Sequence, residues 1–107
     1  MLKIEKSIEY INEELSDAKK YALCAAKAKS NGDSAVYQTA IKLADEELSH
    51  ADMWHDVAMN QIKAARAEMQ SKGVEVPEYM EYKWGQAHEE YVEFYAEIRY
   101  MIEAAKK

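Results

Sequence analysis

A chain of 107 residues has room for one small domain and not two. With 49% apolar and 32% charged residues it can bury a core, which excludes a disordered chain, and no run approaches the ~18 apolar residues of a bilayer span. The net charge of −6 argues against a nucleic-acid backbone as partner, since phosphate contacts need clustered Lys and Arg, and is compatible with cation binding.

Helix-breaking punctuation is sparse, with three glycines and one proline. The first helix is predicted over about 3–29. Its apolar stripe is Ile4, Ile8, Ile11, Leu15, Ala18, Ala22 and Ala25, at the three- and four-residue steps of an amphipathic helix. The opening "MLKIEKSIEYINEEL" mixes charged with apolar residues and lacks the uninterrupted apolar run of a signal peptide. Cys24 is the one cysteine and cannot form an internal disulfide, so a reducing, cytoplasmic setting is expected. Within "ALCAAKA" it reads as a small core residue.

"KSNGDS" (29–34) is a turn, with Gly32 at a helix C-terminus and Asp33 or Ser34 as the next N-cap. The second helix is predicted over about 33–72, with a stripe at Val36, Ala40, Leu43, Glu47, His50, Trp54 and Val57. "SKGVEVPEY" (71–79) breaks the chain again, Gly73 closing one helix and Pro77 and Glu78 opening the next. The third helix is predicted over about 77–106, with Met80, Trp84, Ala87, Tyr91, Phe94, Ile98, Met101 and Ala105 on one face. Gly85 inside it costs about 1 kcal/mol. Short turns make neighbouring helices antiparallel. The expected fold is a single all-α domain over 1–107, an up-down-up bundle of three long helices.

Two ionisable residues stand in the second stripe. Glu47 and His50 are three apart, so they share a face one turn apart. On the first helix Glu14 sits beside Leu15 at the seam. Glu14 precedes the first turn by about 17 residues, and the midpoint of Glu47 and His50 follows it by about 17, which puts all three at one height of an antiparallel pair. Carboxylates buried at one level repel and cost several kcal/mol each in desolvation; a divalent cation offsets both. Carboxylate oxygens with an imidazole nitrogen suit iron, manganese or zinc. Reflecting the third helix about residue 75 brings residues 97–104 to the same level and makes Glu97 and Glu103 weaker candidates. His55 and His88 read as ordinary, partly buried histidines.

Glu14, Tyr21 and Glu47-x-x-His50, within "EELSDAKKYALCAAKAKSNGDSAVYQTAIKLADEELSHA" (13–51), resemble the first half of rubrerythrin-type ferritin-like domains. "DEELSHADM" is similar to the second-helix motif of the short encapsulated ferritins as well. The resemblance implies half of a carboxylate-bridged di-iron centre: Glu14 a terminal ligand, Glu47 a bridging ligand, His50 a nitrogen ligand, and Tyr21 hydrogen-bonded to a ligand carboxylate. It implies iron binding and oxidation of Fe(II) by oxygen or peroxide. A complete ferritin-like domain has four helices and supplies Glu plus ExxH twice, whereas this chain has three helices and one ExxH. Completion therefore needs a second chain, and a homo-oligomer, most simply a two-fold dimer, is expected. The same expectation comes from length. Lys3 reflected about the first turn reaches only about residue 60, leaving a two-helix arm that carries Met80, Trp84 and Tyr91. A non-catalytic helical oligomerisation module that keeps the fold without metal is the alternative.

Overall fold

A computed structural model describes residues 3–107 as three α-helices: α1 (Ile4–Ser30), α2 (Ser34–Ser71) and α3 (Glu78–Lys106). The cross-helix pairs fix the directions. Ser7 meets Gln61 and Glu14 meets His50, so α1 and α2 are antiparallel. Arg66 meets Glu81 and Asp45 meets Arg99, so α2 and α3 are antiparallel too, and the bundle runs up-down-up. Among the described residues no helix is long and apolar enough to cross a membrane.

The helix ends are set where the turn residues indicate. Gly32 and Gly73 both take positive φ, +73° and +69°, the left-handed conformation that closes a helix at little cost to glycine. Asp33 and not Ser34 caps α2, its carboxylate accepting from the Val36 N–H at 3.2 Å. The Pro77 carbonyl accepts from Met80 and Glu81 and starts α3.

Alanine dominates the core. Of the sixteen buried apolar residues described, nine are alanine: Ala18, Ala22, Ala25 and Ala28 on α1, Ala40, Ala44, Ala51 and Ala58 on α2, and Ala105 on α3. Such small side chains let α1 and α2 pack closely, and this is the most extensive helix–helix contact of the bundle. Leu15, Leu48, Ile98 and Ile102 are the largest fully buried side chains, joined in the sealed interior by Ser7, whose hydroxyl donates to Gln61 Oε1 at 2.7 Å.

The observed stripe of α2 is rotated by about one residue from the expected one. Ala40, Ala44, Leu48, Ala51, Ala58 and Ile62 are buried, while Val36 and Val57 are exposed and His50 is half out. The reason is that α2 has two neighbours. Residues such as Glu47, His50 and Trp54 border the outer edge of α1, Asp45, Asp52 and His55 border α3, and the buried line bisects the two flanks. Cys24 is exposed and not a core residue, because Ala22 and Ala25 occupy the inward positions around it.

The expected apolar arm is also shorter. Trp84 is 7% exposed and shares an apolar enclosure with Ile8, Ile11, Ala58 and Ile62. Residues 74–77 are non-helical and carry the chain back along the bundle at up to ~3.3 Å per residue, against 1.5 Å in a helix, so α3 overlaps α1 earlier than residue counting suggests. Val74, Tyr79 and Tyr82 remain exposed at the tip.

Close α1–α2 packing has a measurable consequence. Leu48→Ala should cost about 2–5 kcal/mol by leaving a cavity. Ala44→Leu should cost about 1–3 kcal/mol by forcing the helices apart, a fall of several degrees or more in Tm followed by circular dichroism. An Ala44→Leu protein as stable as wild type would show that the seam has room to spare.

Candidate metal centre

Each residue of the site precedes a buried one. Glu14 stands before Leu15, Glu47 before Leu48 and His50 before Ala51. Helical geometry therefore sets all three about 100° round from the core line, on the outer shoulder of the α1–α2 seam. His50 Nδ1 lies 3.5 Å from Glu14 Oε2 and 3.7 Å from Glu47 Oε1. One donor atom from each residue falls within 4.8 Å of the others. The seam shields them unequally: the side chain of Glu47 is 18% exposed, that of Glu14 25%, and that of His50 51%. Beside them a groove lined by Glu14, His50, Met53, Trp54 and Val57 opens to solvent, and the Tyr10 ring contacts Trp54 at 4.7 Å between centroids.

Proximity of like groups dominates the electrostatics. A carboxyl–carboxyl hydrogen bond to Glu14, then partial burial, then the Glu14 charge push Glu47 from 4.5 up to about 7, while His50 pulls weakly the other way. The pair thus retains a proton at pH values where a lone surface glutamate has none. A cation could replace that proton, which is the behaviour expected of hard oxygen donors gathered with one imidazole.

The other candidates lie elsewhere. Tyr21 packs against the core with Lys20 Nζ 5.0 Å from its ring, and among the described residues no hydrogen bond joins it to the cluster. Glu97 accepts from Lys19 Nζ at 3.1 Å, across the α1–α3 seam. Glu103 pairs with Arg99 at 3.9 Å and Lys106 at 3.7 Å on its own helix. Neither glutamate joins the Glu14–Glu47–His50 group.

The opposite shoulder of α2 carries a second polar cluster that spacing alone did not single out. His55 Nε2 lies 3.1 Å from His88 Nδ1, Tyr91 stacks on His55, and Asp52 accepts from the hydroxyls of Tyr91 and Tyr95. Two histidines on antiparallel helices were the available signal, but a reflection centred on residue 75 separates them. The His55–His88 and Asp45–Arg99 pairs centre the α2–α3 turn near residue 72, about three residues earlier.

No protein-family model matches the chain, and no curated protein or solved structure is significantly similar to it.

The raised Glu47 gives stability a pH slope of known sign. Between pH 4.5 and about 7 the folded chain holds a proton that the unfolded chain has released. This contribution is fully present below 4.5 and is lost as pH rises through 7. Glu47→Gln removes it, so urea denaturation at pH 5, 6.5 and 8 should find the variant gaining on wild type as pH rises. A constant difference would mean that Glu47 ionises normally in the folded chain.

Proposed function

We propose that this chain is a ferritin-like metal-binding protein that takes up and oxidises iron at Glu14, Glu47 and His50, in a site completed by a second copy. One observation carries the reading: two carboxylates and an imidazole from two helices converge within 4.8 Å, close enough that the hydrogen bond to Glu14, then burial, raises the pKa of Glu47 to about 7. The donor set fits iron, with manganese or zinc also compatible. Glu14 and Glu47 would supply oxygen ligands and His50 a nitrogen, and loss of the shared proton readies both carboxylates together. Fe(II), as the substrate, would supply the electrons for oxygen or peroxide. The packed seam behind Leu15 and Leu48 holds the two helices in register, while the half-exposed side of His50 leaves room for ligands from elsewhere.

Support for a second copy comes from the surface around the site. Three protein ligands leave an iron ion incompletely held. Met53 is 63% exposed and Val57 37% exposed, with Trp54 beside them, an apolar rim around a polar centre. The same rim favours the second reading, a helical oligomerisation module without metal.

Thermal stability separates the two. A ligand bound only by the folded state at 100 times its Kd stabilises it by about 2.7 kcal/mol, so Fe(II) or Mn(II) should raise Tm by on the order of 10 °C. Glu47→Gln/His50→Gln should lose that rise, and Glu14→Ala should abolish stoichiometric Fe(II) binding. If metal leaves Tm unchanged and the double variant is strongly destabilised, the module reading holds. Light scattering should show a dimer or larger assembly; a 12.3 kDa monomer at micromolar concentration would sink the shared site.

A further inference from the structure

We propose that His55 and His88 form a second metal site, separate from the first, which takes one imidazole-seeking transition ion of the zinc(II) or copper(II) class and clamps α2 to α3. His55 lies five residues and about 140° round the helix from His50, so the two sites occupy opposite shoulders of α2.

The spacing of the nitrogens carries the proposal. His55 Nε2 and His88 Nδ1 are 3.1 Å apart. Two imidazole nitrogens each about 2.0–2.1 Å from one ion, at that separation, subtend an angle of about 100°, between square-planar and tetrahedral values. Without an ion the distance serves a hydrogen bond, with the proton on one of the two nitrogens. With an ion, His55 keeps its proton on Nδ1 and His88 on Nε2; the change is one of tautomer, and no proton is gained or lost from the neutral pair. Burial, then the charge of His88, holds His55 below the ordinary histidine range, while Asp56 and Asp52 oppose this more weakly. Neutral imidazole is the ligating form.

The neighbours hold the first ligand in place. Tyr91 stacks on the His55 ring at 4.1 Å and 9°, and the Tyr91 hydroxyl is tied to Asp52, which also accepts from Tyr95 at 3.2 Å. His88 is exposed, so the remaining coordination positions open to water. Two nitrogens and no anionic ligand disfavour magnesium, calcium and manganese. The location gives such a clamp a purpose. Of the three helix pairs, α2 and α3 make the least extensive contact, and their seam is spanned by solvent-exposed ion pairs, Arg66–Glu81 and Arg99–Asp45, of a kind that stabilises little.

The test uses the Glu47→Gln/His50→Gln chain, in which the first site is disabled and His55 and His88 are the only histidines left. Zn(II) titration by calorimetry should find one ion per chain. Cu(II) should give an electron paramagnetic resonance spectrum with coupling to two nitrogens. His88→Gln, at an exposed position, should fold normally, weaken binding at least tenfold and reduce the coupling to one nitrogen; His55→Gln should do the same. Binding equally tight without His88, or a spectrum with no imidazole coupling, would overturn the proposal. In the otherwise wild-type chain His88→Gln should leave Fe(II) uptake at Glu14, Glu47 and His50 intact, so failure of either site is distinguishable from failure of the other.

Discussion

The close, alanine-lined contact between α1 and α2 is the constraint on which the rest depends. Ala18, Ala22 and Ala25 on one helix and Ala40, Ala44 and Ala51 on the other occupy the buried line, and none has the reach to hold the helices apart. Side chains on the shoulders of that line are therefore brought within touching distance whether or not their charges agree. Glu14 and Glu47 meet there because Leu15 and Leu48, one residue further along each chain, must be buried. The carboxylates are close because apolar burial overrides their repulsion, and the cost appears as a proton retained to about pH 7.

α2 is the organising helix because it has two working shoulders. Toward the free side of α1 it presents Glu47 and His50 beside the exposed Met53 and Val57. Toward α3 it presents Asp45, Asp52 and His55, each engaged across the seam with Arg99, Tyr91 and Tyr95, or His88. Both shoulders reach solvent: the first gathers its carboxylates and imidazole among themselves beside an apolar rim, and the second pairs its groups across the seam with α3. An open polar centre with an apolar rim is the arrangement that a further chain can complete, whereas the paired seam is one that an ion can only tighten.

Much of this is legible in the sequence. The periodicity of α1 named five of its buried positions, Ile11, Leu15, Ala18, Ala22 and Ala25, but not Ser7 or Ala28, and glycine chemistry placed both turns. The juxtaposition of Glu14 with Glu47 and His50 followed from counting residues either side of Gly32, which works because the first turn is tight and nearly symmetric. The same counting misplaced α3, since residues 74–77 travel further per residue than a helix does. Trp84 therefore reached the core, and His88 reached His55.

What the sequence determined by itself was everything local or periodic: three helices, their ends, an all-α bundle, and the presence of a Glu and an ExxH pair on faces that could meet. Only the tertiary structure decided the rotation of α2. A stripe wide enough to contact two helices has no unique centre on a helical wheel, and the burial of its middle line depends on where both neighbours sit. That rotation puts Leu48 and Ala51 inside and leaves Glu47 shielded with His50 half in water. It also turns His55 toward α3, where the extended 74–77 segment delivers His88 to meet it.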